Sequence, residues 1–197
     1  MRLSYLFAAL LLSASVARSD VVLTVDISDI SAVKFTATPS FSQTANSTIR
    51  GQDGVTLVNF FTGSATQPIS ITGTSSLSMQ GQGSTIAYDS ASGSSLGSPV
   101  NTFLGLNFRN NGNEDFQVFS LNSPVFSGYT TLNLAGNAGV IPTAGFVGSI
   151  FGGNSNTANP LIGQFAVIPE PATTGLLVGL GGLLLVAGLR FRRARRA

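Results

Sequence analysis

The sequence predicts an all-β body with a β-sandwich or jelly-roll arrangement, set between two apolar terminal segments. Three observations predict it. Short runs of β-branched and aromatic residues recur between Gly, Ser, Asn and Pro punctuation. Several runs alternate with period 2: Leu23, Val25 and Ile27 against Thr24 and Asp26, and Leu104, Leu106 and Phe108 against Gly105 and Asn107. No stretch of the body sustains a capped helical period.

The chain opens on a signal-peptide pattern. Met1-Arg2 supplies the positive start, Leu3–Leu12 the apolar stretch, and Ser13–Ala17 the small residues of a cleavage site. Cleavage is expected after Ala17, with Ser19 as the alternative. Ten apolar residues fall short of the roughly 20 needed to span a bilayer. The expected units are therefore a signal peptide at 1–17, an exported body at 18–167 and a tail at 168–197.

Within the body, strands are expected at Val21–Ile27, Val55–Phe61, Ile69–Thr72, Ile86–Tyr88, Thr102–Phe108, Phe116–Leu121, Thr130–Leu134 and Gln164–Ile168, with a weaker one at Lys34–Ala37. Thr72–Ser84 and Ser90–Ser98 are polar enough to read as loops. Pro142–Phe151 reads as a short helix weakened by Gly145 and Gly148. Many short strands without helices point to a sandwich or jelly-roll. A β-helix would need a repeat of fixed period, and none is found. Phenylalanines from Phe35 to Phe165 supply a core without disulfides.

Composition narrows the function. Charged residues are 9% of the chain, against about 25% in ordinary soluble domains, and Ser, Thr, Asn, Gln and Gly supply the polarity. The chain has no Cys and no His, which removes thiolate nucleophiles, imidazole bases and most transition-metal ligands. Five of the ten basic residues lie in the last eight positions; the body, with four basic residues against seven acids, is net −3. It offers no basic patch for nucleic acid.

Three carboxylate features bear on chemistry. Asn110–Asp115 (NNGNED) is the best cluster of oxygen ligands for Ca²⁺, yet it lacks EF-hand spacing and reads better as a hairpin turn carrying Asn-Gly. Asp26 and Asp29 stand three apart, which on a strand places them on opposite faces. A secreted polysaccharide hydrolase would need two convergent carboxylates from Asp26, Asp53, Asp89, Glu114 and Asp115. No catalytic residue, metal ligand or cofactor is assigned. The body's threonines show no regular period, as a flat ice-binding face would require.

The C-terminus has three parts in series. Pro169-Glu170-Pro171 is stiff, because each proline fixes its own φ and pushes Ile168 or Glu170 toward extended geometry. Thr173–Leu189 is an uncharged run of 17 residues, about 25 Å as a helix and slightly short of a roughly 30 Å hydrocarbon core. Its five glycines make it a marginal span. Arg190, Arg192, Arg193, Arg195 and Arg196 then fix the orientation: the positive-inside rule keeps them cytoplasmic and leaves the body outside.

This arrangement resembles the PEP-CTERM family of sorting signals, through Pro169-Glu170-Pro171, the glycine-bearing span and the arginine tail. The resemblance covers the last 30 residues and not the body. It implies a bacterial protein exported by the Sec machinery and trimmed by signal peptidase. It further implies transient anchoring by the C-terminal transmembrane helix, processing by an exosortase, and delivery to the cell surface or extracellular matrix among exopolysaccharide. The same module is also labelled an ice-binding protein C-terminal domain, but the tail by itself does not imply ice binding. The body is expected to be structural, adhesive or carbohydrate-binding and not an enzyme. The alternatives are the hydrolase above and an ordinary single-pass anchored envelope protein.

Overall fold

A computed structural model describes residues 21–44, 48–73, 75–80, 85–96, 98–99, 102–112, 114–153 and 160–168. Its strands, in chain order, are β1 (Val21–Asp26), β2 (Val33–Ala37), β3 (Thr48–Arg50), β4 (Val55–Leu57), β5 (Ser70–Ile71), β6 (Ser78–Gln80) and β7 (Thr85–Ala87). They continue with β8 (Ser90–Ser94), β9 (Gly105–Arg109), β10 (Phe116–Val118), β11 (Phe126–Ser127), β12 (Tyr129–Asn133), β13 (Val147–Gly152) and β14 (Leu161–Ile168). The helical content among the described residues is two 3-10 segments, Ile30–Ala32 and Ala135–Val140. The all-β expectation holds.

Nine strands share one sheet in the order β5-β12-β2-β1-β14-β13-β4-β9-β8. Its two edges, β5 and β8, come back beside each other, so the sheet is a nearly closed barrel. Seven of the nine strands expected to form a sandwich or jelly-roll thus lie in one curled sheet, while Ile86–Tyr88 and Phe116–Leu121 contribute β7 and β10 to two smaller sheets. Alternation only requires that one face of each strand be buried, and a curled sheet meets that as well as two stacked ones. Neighbours are antiparallel except at the centre, where β1 runs parallel to β14, Leu23 beside Phe165 and Val25 beside Val167. We term the end where β1 begins the head and the end where β14 finishes the base. Two small sheets, β3 with β10 and β6 between β7 and β11, adjoin the head.

The core lies inside the curl. Val25, Val33, Phe35, Leu57, Leu106, Phe108, Leu132, Ile150 and Phe165 are fully buried or nearly so. Aromatic rings form a chain through it. Tyr88 meets Phe126 and Phe108, Phe108 meets Phe35 edge-on at 5.1 Å, Phe35 meets Phe60, and Phe60 meets Phe165. Such pairs contribute about 0.5–1.5 kcal/mol each beyond area burial.

Four local expectations change. Ser90–Ser98 contains β8, a strand of small polar residues that pairs along the whole of β9, from Ser90 beside Arg109 to Ser94 beside Gly105. Thr72–Ser84 contains β6. β8 is extended by pairing with the next strand, β9, and β6 by pairing with β7 and with the more distant β11; the mostly polar residues of both carry no sustained alternation that would announce a strand. Pro142–Phe151 is a turn followed by β13, not a helix. Gly148 is what its packing requires: a Cβ there would lie 2.5 Å from the Phe165 ring. Within the run Val55–Phe61 the strand ends at Leu57, with a last bond from Val58 N–H to Ser149 O, because Asn59 takes φ +54° and turns Phe60 and Phe61 inward.

The expected signal peptide with its Ala17 site lies outside the described residues. So do Pro169, Glu170, Pro171, the span and Arg190, Arg192, Arg193, Arg195 and Arg196. No helix among the described residues is long and apolar enough to cross a membrane.

Candidate functional site at the exit of the last strand

In the sequence the tail follows β14 directly. This strand is laddered on both sides, to β1 and to β13. The β1 ladder reaches its last residue, Ile168, which pairs with Asp26. Val167 donates its N–H to Phe146 O and accepts from Gly145 N–H, so the turn before β13 also clasps the exit. Pro169 follows with no linker. The first strand begins at the other end of the barrel: Val21 lies at the head, paired with Gln164.

Around that exit, the base carries the Asp26–Val33 connection, the Ala135–Val140 segment and the turn before β13. Asp29 caps the Ile30–Ala32 segment, its Oδ1 accepting from the Ser31 N–H at 2.9 Å and the Ser31 hydroxyl at 2.6 Å. Those hydrogen bonds hold its carboxyl below the ordinary value, the Ser31 hydroxyl contributing most. Asp26 Oδ1 accepts from Ser28 N–H at 3.0 Å. Each of these acids closes its own turn.

The remaining acids sit at the head. Asp89 Oδ1 accepts from Asn111 N–H, and Asp115 O accepts from Gly51 N–H. Asp89, Glu114 and Asp115 are exposed, and Asp53 is half-buried. The turn reading of Asn110–Asp115 holds in part. Asn111 and Gly112 form a turn with Gly112 at φ +86°, but it is no hairpin, since β9 pairs with β4 and β8 while β10 pairs with β3. Among the described residues no group of three or more acids is placed to hold a metal ion.

Two further features were not visible in the linear sequence. On the outer wall, threonines without a regular period meet across strands. Thr72 and Thr131 hydroxyls lie 3.1 Å apart, Thr24 pairs with Thr36 across β1 and β2, and its hydroxyl donates to Thr36 O. Beside them Lys34 Nζ lies 4.8 Å from the centre of the half-exposed Tyr129 ring. Inside, Tyr88 Oη, Gln117 Nε2 and Oε1, and Thr130 Oγ1 are buried with no partner among the described residues. Burial alone pushes the Tyr88 phenol well above its ordinary value. Strand pairing, which sequence reasoning reads poorly, would have been the signal for the threonine row.

No family model, curated protein or solved structure matches this chain.

Proposed function

We propose that the chain is an exported bacterial surface or matrix protein whose C-terminal tail directs sorting and removal by an exosortase. The observation that carries this is the order Pro169-Glu170-Pro171, uncharged span, arginine cluster, placed in the sequence immediately after β14. In this reading Glu170 is the recognition carboxylate on a stiff stalk. The arginines hold the end in the cytoplasm, and the short span anchors the chain until it is cut. The body acts by binding or scaffolding. Its hydroxyl-bearing wall around Thr24, Thr36, Thr72, Thr131 and Tyr129 supports contact with polyhydroxylated polymers such as exopolysaccharide, by aromatic stacking and uncharged hydrogen bonds. Asp26 and Asp29 at the base serve as turn caps.

Expression in an exosortase-bearing host, with intact mass measurement of the surface form, tests the sorting step. The expected mature chain lacks Thr173–Ala197, and Glu170→Ala retains it. A surface form of wild type that keeps the tail overturns the reading in favour of an ordinary single-pass anchor. A glycan-array screen of residues 18–168 tests the body: binding lost on Tyr129→Ala supports the wall, and turnover of a bound glycan would restore the hydrolase alternative.

A further inference from the structure

The position of the last strand fixes which end of the barrel faces the membrane. β14 is laddered to Ile168, and the apolar run begins at Thr173. Five Cα steps separate them, which span at most about 17 Å fully extended. The headgroup layer takes about 5–8 Å of that, from a total bilayer thickness of about 40–45 Å around a hydrocarbon core of about 30 Å. About 10 Å is left, too little for a folded domain to stand between barrel and bilayer. Because β1 is parallel to β14, Val21 lies toward the far end of the barrel and imposes no competing constraint at the base.

The surface chemistry of the two ends agrees with this placement. The nine charged residues among the described positions divide unequally. Asp26, Asp29 and Lys34 are at or beside the base, whereas Arg50, Asp53, Asp89, Arg109, Glu114 and Asp115 are at the head. Ile30, Phe103 and Val147 are exposed apolar residues of the base, at 37, 44 and 49%. The head exposes Phe41, Phe116 and Tyr129 too, so apolar exposure alone does not choose between the ends. Chain connectivity chooses, and the charge distribution is consistent with it.

We propose that, while the tail is in place, the base of the barrel lies against the headgroup layer of the membrane that holds residues 173–189. Ile30, Val147 and the turn before β13 face the lipid, and the head with its charged turns points away. The inference rests on the sorting reading. It adds that the processing enzyme reaches the short stiff stalk Pro169-Glu170-Pro171 in the narrow gap between the barrel base and the lipid.

The chain contains no cysteine, so a single introduced thiol labels one position. The full chain, exported in a host without an exosortase, is purified and reconstituted in phosphatidylcholine–phosphatidylglycerol vesicles carrying a headgroup nitroxide. Dye-labelled Val147→Cys reports the base and Asn111→Cys the head. Expected is several-fold stronger contact quenching at 147 than at 111. Inserting a Gly/Ser linker of about 15 residues, which spans about 20 Å on average, between Ile168 and Pro169 removes the difference. Equal quenching at the two positions, or stronger quenching at 111, overturns the orientation. A chain that fails to co-float with the vesicles overturns the anchoring, and the orientation with it.

Discussion

Glycines at the head separate backbone requirements from packing requirements. Gly54 has φ +60°, and a Cβ there would sit 1.8 Å from Phe108 O, inside the ladder between β4 and β9. Gly112 has φ +86° with nothing within 4 Å. Gly112→Ala is therefore expected to cost only the left-handed penalty of about 1–2 kcal/mol. Gly54→Ala adds an unrelievable backbone clash and should cost about 3 kcal/mol or more, or prevent folding. Urea unfolding of the two variants makes the comparison. Asn107, 1% exposed, donates to Asp53 O, Val55 O and Thr56 Oγ1. Asn107→Ala is expected to cost about 2–3 kcal/mol, since it leaves those acceptors dry.

Two ionisable groups give opposite pH signatures. Tyr88 is held neutral by burial, its folded pKa raised. Stability is then full below the unfolded phenol value of about 10 and falls as pH climbs past it, because only the unfolded chain ionises freely. Tyr88→Phe removes a buried hydroxyl with no partner among the described residues. It should be neutral or stabilising by about 1 kcal/mol and should flatten that alkaline loss in a pH series of unfolding curves. Asp29 has a depressed folded pKa, so its contribution is present above the unfolded carboxylate value and lost as pH falls through the folded one. It is fully exposed, and solvent screens the effect. Ser31→Ala is expected to move its NMR titration midpoint upward.

Among the elements, β14 decides whether the barrel exists. It joins β1 on one side and β13 on the other, so the sheet is cut in two without it. Chains ending at Pro160 are expected to stay unfolded by far-UV circular dichroism, and chains ending at Ile168 to fold. Ala166→Pro removes a backbone donor and strains ladders to both Thr24 and Val147, and should behave like the truncation. The alternating strands, β1 and β9, were legible because their pattern is local. β6 and β8 were not: Ser90–Ser94 is extended because β9 supplies its partners.

For the whole molecule, the parallel pairing of β1 and β14 puts Val21 and Ile168 at opposite ends of the barrel. β1 is six residues, about 20 Å long. A circular permutant joining Ile168 to Val21 through one residue, two Cα steps, spans only about 7 Å and is expected to fail, whereas a linker long enough to run the barrel's length should restore folding. Near-UV dichroism of the aromatic core distinguishes the outcomes. Folding pairs β1 with β14, which lie far apart in the chain, so refolding should be slow for the chain's size, as for other barrels dominated by non-local pairing.

The sequence by itself determined the all-β class, the positions of most strands and the order of the tail's three chemical parts. Each of these depends on neighbouring residues: period-2 alternation, proline geometry, an uncharged run and clustered arginines. Only the tertiary structure decided that one curled sheet replaces two layers and that Thr24, Thr36, Thr72 and Thr131 share a wall. It also decided that β14 ends, doubly laddered or clasped, one residue before Pro169. Those outcomes come from hydrogen-bonded partners far apart in the chain. Strand order and register set them, and local composition carries no record of either.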